Sequence, residues 1–339
     1  MKTIEINKIY NGDAIQILKT FPDECINCCV TSPPYYALRS YLSNDDPNKY
    51  LEIGMDESPS LYIQRLVEVF NEVKRVLRKD GTLWLNIGDS YAGSNQGSGV
   101  EKATGKQATN RGTNYMNTKE HKSKLAKVPG FKPKELMMIP ARLAIALSEA
   151  GWTLRQDIIW QKPNALPEST KDRCTKSHEY IYLFSKQRKY YFNNEAIKEP
   201  CVNGDPSSPR GSKGALTPNS GRRGSGNIER KQRPSQDVFD KGNQAGNVPW
   251  EYKEFRNKRS VWTVNTKPLH DAHFAVFPEA LILPCILAGC PEGGTILDPF
   301  FGSGTTGIVA KQNNRNYIGI DLNKEYIELA KTRIEKAVI

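Results

Sequence analysis

Two periodicities alternate along this chain. Short runs that are apolar throughout, or apolar at every second position, predict strands: "TIEINKIYNGD" ending at Gly12-Asp13, "CINCCV", "TLWLNIG", "TLRQDIIWQK", "EYIYLFSK", "GTILDPF" and "NYIGIDL". Between them, apolar residues recur at helical spacing. This predicts helices over "AIQILKTF", over the stretch from Ser58-Pro59 to Gly81, and over "ELMMIPARLAIALSEAGW", where Pro140 implies a kink or a late start. Further helices are expected over "PEALILPCILAGC", from Thr305, and over "KEYIELAKTRIEKAV". Strand-helix alternation of this kind argues for an α/β fold with a mostly parallel sheet. The strands around 153–162 and 179–186 read as an antiparallel pair at one sheet edge. Two stretches, about 92–133 and 200–260, carry almost no period. They are too long for simple connections, which makes them functional or disordered. No internal repeat is present.

Composition narrows the class. The 339 residues are 38% hydrophobic, with a mean hydropathy of −0.59, enough for one large domain with insertions. No apolar run is long enough for a membrane helix, and "MKTIEINKIYNGD" lacks the core of a signal peptide, so a cytoplasmic protein is expected. The seven cysteines include one CxxC, at Cys25 and Cys28, inside an apolar run without a second pair at zinc spacing. They read as reduced structural thiols, and no metal is expected. Charge is more telling. The net is +11, and the excess lies in the two aperiodic stretches. Residues 92–134 hold nine Lys/Arg against two Glu, and residues 201–260 hold twelve against six acids. Two basic insertions on a near-neutral body suit a phosphate backbone.

Chemistry concentrates at two places. In "VTSPPYYALRS" (30–40) the apolar strand must stop at Thr31, because proline restricts the residue before it and donates no ladder hydrogen bond. That leaves Ser32, Pro33, Pro34 and Tyr35 on a rigid segment at a strand's carboxyl end, where open α/β sheets bind ligands. The second place is "LDPFFGSGTTG". Gly302, Gly304 and Gly307 form GxGxxG between a strand and a helix, and Asp321 ends the next strand 19 residues after Gly302. Glycines there allow close backbone approach, the helix start offers N–H groups, and Asp321 suits ribose hydroxyls. By itself this means an adenosine-containing cofactor, NAD or S-adenosylmethionine (AdoMet). Asp298, Pro299 and Phe300 favour AdoMet, since a sulfonium with an α-amino group seeks a carboxylate and an aromatic face, whereas a pyrophosphate has no use for an acid.

Together, "TSPPY" and "DPFFGSGTT" resemble the amino-group DNA methyltransferases. The order, catalytic motif first, is similar to their β group. "GTLWLNIGDSY", "IPARLAIALSEAGWTLRQDIIWQKPNALPES", "DRCTKSHEYIYLFSK", "RSVWTV" and "HFAVFPEAL" extend the likeness across all but the two basic insertions. Cys174 departs from it, standing where proline is expected. The resemblance implies a Rossmann-like, circularly permuted AdoMet fold. Residues 1–199 would form its catalytic half, 261–339 its cofactor half, and 200–260 a target-recognition region. The strands ending at Asp321 and Asp13 would then be neighbours. It further implies methyl transfer to an exocyclic amine of a flipped base in duplex DNA. Ser32 Oγ and the Pro33 carbonyl would accept the amine's N–H groups, and Tyr35 would stack on the base. Asp13, Thr31, Phe277 and Thr305 join the cofactor set, Asp13 toward the adenine and Phe277 toward the methionine. Serine before the prolines leans to cytosine N4, with adenine N6 the alternative. Arg210, Arg222, Arg223, Arg230, Arg233, Arg256 and Arg259 are candidate DNA contacts. A cognate restriction endonuclease is a possible partner, and the chain would act as a monomer or homodimer. Rival readings are an AdoMet enzyme acting on RNA or protein amides, a non-catalytic nucleic-acid-binding protein with a relic core, and an NAD oxidoreductase. If the first insertion orders on DNA, duplex will protect residues 92–130 from limited proteolysis; identical digestion with and without DNA would refute this.

Overall fold

A computed structural model of the chain describes residues 4–38, 40–43, 45–93, 128–201, 254–266 and 277–337. Most of both basic insertions, with Arg210, Arg222, Arg223, Arg230 and Arg233, lies outside the described residues. The chain divides into two units, one of Met1–Ile197 with Arg259–Ile339 and one of Lys198–Lys258.

The larger unit holds an eight-stranded sheet. Its strands are β1 (Lys8–Asn11), β2 (Ile26–Thr31), β3 (Leu77–Ile87), β4 (Thr153–Gln161), β5 (His178–Ser185), β8 (Val261–Thr263), β9 (Thr295–Asp298) and β10 (Asn316–Asp321), in the order β1-β10-β9-β2-β3-β5-β4-β8. All neighbours pair in parallel except β5, which is antiparallel to both β3 and β4. In the smaller unit, Glu199–Pro200 (β6) and Phe255–Arg256 (β7) form an antiparallel pair.

Helices cover both faces. α1 (Ala14–Thr20), α2 (Pro59–Val76) and α3 (Ile139–Glu149) pack Leu18, Leu66, Phe70, Leu143 and Leu147 against Cys29, Leu83, Leu85 and Leu297. α4 (Glu279–Gly289), α5 (Thr305–Gln312) and α6 (Lys324–Lys336) pack Leu281, Ile286, Ile308, Val309 and Ile334 against Cys28, Val30, Trp84 and Ile296. Cys28 and Val30 face one layer and Cys29 the other, the two-residue period of a strand buried on both sides. Helix starts follow the sequence. Asp13 and Ser58 cap α1 and α2 by accepting from Gln16 N and Leu61 N, and α3 does start late, with Pro140 in its first turn.

The permutation closes as expected. β1 pairs in parallel with β10, Asn11 beside Asp321, and Gly12 N donates to the Asp321 carbonyl at 3.0 Å. Two expectations need correction. The helix from Pro59 stops at Val76, not Gly81. The carbonyls of Arg75 and Val76 accept from Glu24 N and Cys25 N, Leu77 pairs with Ile26, and Lys186 Nζ holds the Leu77 carbonyl at 2.6 Å. Pairing with β2 therefore overrides helical periodicity. The antiparallel strand is also not at the edge: β4 lies outside β5, and β8, whose three residues give no periodic signal, covers β4.

The sheet has its switch point between β9 and β2. The cofactor strands β10 and β1 extend to one side of it, and β3 to the other. Asp298, Asp321, Thr31 and Ile87 all end parallel strands, so they share one sheet edge. Lys162, just past β4, and Glu179, early in antiparallel β5, come to that same edge.

Close packing beneath the cofactor turn is tight. A Cβ on Gly319 would lie 2.4 Å from the Phe301 ring, which stacks on Tyr317. Gly319→Ala should therefore cost about 1–3 kcal/mol and displace the turn, lowering the melting temperature and weakening the thermal shift given by AdoMet.

Candidate active site

A cavity of about 1060 Å³ opens at the switch point. It is at the upper end of the roughly 300–1,000 Å³ usual for ligand pockets. Its lining has two sides.

On one side stand Gly12, Asp13, Phe277, Pro299, Phe300, Gly302, Thr305, Asp321 and Leu322. Gly302 (φ +51°) fronts open space, and Gly304 (φ +82°) precedes α5 with no room for a Cβ beside Ala330. Asp321 accepts from Gly302 N (2.7 Å) and Asn323 N (2.8 Å), and burial pushes its pKa up to about 6. Asp13 spends one oxygen capping α1. The loop after the Tyr35 strap borders this side. Glu52 is buried in an ion pair with Lys49 and holds the Leu42 backbone, and Asn323 reaches the Tyr41 carbonyl at 2.8 Å.

Asp298 does not line the cavity. Its buried carboxylate accepts from Thr31 Oγ1 (2.6 Å), Thr306 Oγ1 (2.7 Å) and Phe300 N (3.1 Å). Burial raises its pKa to about 6 against those three donors. Thr31 and Gly304 likewise stand behind the wall. These three residues shape the turn and join it to β2.

On the other side stand Ser32, Pro33, Pro34, Tyr35, Asn86, Trp160, Lys162, Lys176 and Glu179. The strap is clamped. Tyr62 is fully buried and donates to the Pro34 carbonyl at 2.8 Å, its pKa raised well above the usual by burial. The Tyr35 ring lies against Gly88, where a Cβ would sit 2.6 Å from Cε2. Among the described residues no group donates to the Pro33 carbonyl. The Tyr35 hydroxyl donates to Glu179 Oε2 at 2.6 Å, Asn86 Nδ2 lies 3.3 Å from the same oxygen, and Lys162 pairs with Oε1. Lys162 also sits over the Trp160 ring, 4.2 Å from its centroid. Asn86, Lys162, Lys176 and Glu179 were not singled out from the sequence. The available signal was a polar residue inside an apolar strand, as in "TLWLNIG" and "HEYIYLF".

Comparison with known proteins decides the class. A family model described as DNA methylase, covering amino methyltransferases of the N6 and N4 types, matches residues 26–332. The chain belongs to this DNA methylase family. It is 40% identical over 335 residues to the Type II methyltransferase M.Cfr9I of Citrobacter freundii, covering 98% of this chain and 89% of that one. It is 41% identical over 327 residues to M.SmaI of Serratia marcescens, covering 96% and 90%. In fold it matches the PvuII DNA methyltransferase, described as cytosine-N4-specific, with a TM-score of 0.58 at 17% identity over 99% of this chain and 91% of that one. A putative DNA modification methylase from Thermus thermophilus, complexed with S-adenosyl-L-methionine, matches at 0.53 and 20%, over 98% and 94%.

The cofactor of this methylase is S-adenosyl-L-methionine, and the residues fit it. A dinucleotide site turns its glycine N–H groups to a pyrophosphate. Here the Gly302 N–H is held by Asp321, whose carboxylate would repel one. Phe277 and Phe300 offer apolar faces, and the buried Thr305 hydroxyl has no partner among the described residues. Among the predicted DNA contacts, Arg256 is paired with Glu199 at 2.8 Å, and Arg259 precedes β8, its carbonyl accepting from Trp262. Cys174 is exposed and does not line the cavity, and no helix among the described residues is long and apolar enough to cross a membrane.

The Asp321 anion accepts hydrogen bonds and its acid form accepts fewer. AdoMet affinity should therefore rise between pH 5 and 7 and then level, as measured by calorimetry, and Asp321→Asn should flatten that rise and cost about 1.5–3 kcal/mol of binding.

Proposed function

We propose that this methylase transfers a methyl group to the exocyclic N4 of cytosine in duplex DNA, within a restriction-modification pair whose endonuclease cuts the same site. The observation carrying this reading is that Ser32 and Pro33 line one cavity with Gly302 and Asp321. A base amine has its lone pair delocalised into the ring and is a poor nucleophile. Two acceptors on its N–H groups draw the nitrogen toward tetrahedral geometry and localise that pair. Ser32 Oγ and the Pro33 carbonyl are the acceptors, and the clamped prolines fix them before the base arrives. AdoMet supplies an electrophilic methyl group on a sulfonium, displaced in line with a neutral thioether as leaving group.

Base choice rests on Ser32, a hydroxyl where a carboxylate would lean toward adenine. The PvuII enzyme, a neighbour in fold, is described as cytosine-N4-specific. The base must leave the duplex, which costs a few kcal/mol. Stacking on Tyr35 offsets about 1–3 kcal/mol of this. The 200–260 region reads the target, and its arginines grip phosphate or guanine.

Mixed-sequence duplex treated with enzyme and AdoMet, then digested to nucleosides, should yield N4-methylcytosine by mass spectrometry. N6-methyladenine would overturn the base assignment, and no methylated base would overturn the reading. Ser32→Ala should lower turnover about 10²- to 10³-fold, the scale of one preorganised hydrogen-bond partner, and leave AdoMet affinity unchanged.

A further inference from the structure

Stacking on a base needs only a ring, yet Tyr35 also carries a hydroxyl. That hydroxyl is the centre of a polar cluster beside the cavity. It donates to Glu179 Oε2 at 2.6 Å and lies 3.2 Å from Asn86 Oδ1, so two acceptors share its proton. Asn86 Nδ2 closes the triangle at 3.3 Å from Glu179 Oε2, and donates to the Tyr180 carbonyl at 3.1 Å. Lys162 pairs with the other Glu179 oxygen and stands over the Trp160 ring. The side chains of this pair are only 18% and 15% exposed. Asn86 is buried between Leu85 and Ile87 of β3.

Stability does not account for such a cluster. Desolvating an ion pair commonly cancels what the pair returns, and apolar residues of the same volume would hold the wall at least as well. What a satisfied polar network adds is direction, because hydrogen bonds fix where each atom lies. Here the fixed atom is the tip of the Tyr35 ring. The backbone end of the residue is held as well: Tyr62 donates to the Pro34 carbonyl, and Leu38 N to the Tyr35 carbonyl at 3.3 Å. Gly88 makes room for the ring edge between them. A Cβ there would meet Tyr35 Cε2 at 2.6 Å and Glu179 Cδ at 3.4 Å.

We propose that Asn86, Glu179 and Lys162 are positioning residues that set the plane of the Tyr35 ring before the target base arrives. This deepens the methyl-transfer function proposed above and rests on it. A ring free to tilt still stacks, but over a range of orientations. Only a fraction of these aim the amine at Ser32 and in line with the methyl–sulfur bond. The network works through the ring and needs no contact with the reacting atoms. Burial and the neighbouring carboxylate raise the Tyr35 pKa well above the usual, so the phenol keeps the proton it donates. Lys162 balances the charge of Glu179, which lets a strong acceptor stand in a buried place.

The test is single-turnover methyl transfer to the mixed-sequence duplex, with enzyme in excess. Tyr35→Phe keeps the ring and removes its anchor. It should slow transfer about 10- to 10²-fold, the scale of a small misplacement of reacting groups, with AdoMet and duplex affinities unchanged. Lys162→Met with Glu179→Leu removes the ion pair whole, leaves no bare charge, and should slow transfer equally. Adding Tyr35→Phe to that pair should cost nothing more, because all three act through one ring. Glu179→Gln still offers the phenol an acceptor, so its rate should lie closer to wild type than to the charge-free pair. Four results would overturn the proposal: Tyr35→Phe at the wild-type rate, additive losses, losses carried by AdoMet or duplex affinity, or Glu179→Gln as slow as the charge-free pair. Should the charge-free pair misfold and fail to bind AdoMet, the other two variants decide. Tyr35→Phe slow with Glu179→Gln near wild type supports the positioning role, and any other combination overturns it. A wild-type enzyme that methylates no base removes the parent reading as well; one that methylates while Tyr35→Phe matches it removes the positioning role only.

Discussion

The buried carboxylate of Asp298 is the joint on which the molecule depends. It ends β9, and its oxygens accept from Thr31, 267 residues away at the end of β2, and from Thr306 in the first turn of α5. A bare carboxylate in that position would be costly, and its pKa rises to about 6 even with three donors. The donors make it tolerable, and they are specific ones: the residue before Ser32 and a residue of the glycine turn. The same bonds that satisfy Asp298 therefore fix the Ser32–Tyr35 strap and the glycine turn relative to each other. Thr31 puts a buried polar side chain at the end of β2 for this reason.

Around that joint the cavity separates two electrostatic tasks. The cofactor side is acidic at Asp13 and Asp321, with a glycine N–H already committed to Asp321, which suits hydroxyls and a cationic centre better than a phosphate. The base side holds a neutral serine, a phenol kept protonated by burial, and a carboxylate whose charge is matched by Lys162. An apolar frame holds these groups still. Tyr62, Gly88 and the two prolines leave the strap little freedom, so orientation is set before a ligand arrives.

Much of the fold was legible because strand and helix periods are strong where strands are buried on both faces. β2, β9 and β10 read directly from their apolar runs, and α5 begins at Thr305 as its glycines imply. The failures have one cause. α2 ends at Val76, because β2 takes its carbonyls, and no local pattern records that. β8 is three residues long, too short to show a period, and pairs along β4. Asp298 looked like a ligand for the cofactor's amine because its residue type and position suited that role, whereas its partners lie on other segments.

By itself, the sequence determined the element order, the class of cofactor and the two motifs that meet, since glycine turns, prolines and apolar periods are local properties of the chain. Only the tertiary structure decided what Asn86, Lys162 and Glu179 do. They come from β3, from just past β4 and from β5, and the antiparallel course of β5 is what carries Glu179 to the same sheet edge as Ser32. A hydrogen bond of 2.6 Å between residues 144 apart depends on strand order and register, which no spacing along the chain encodes.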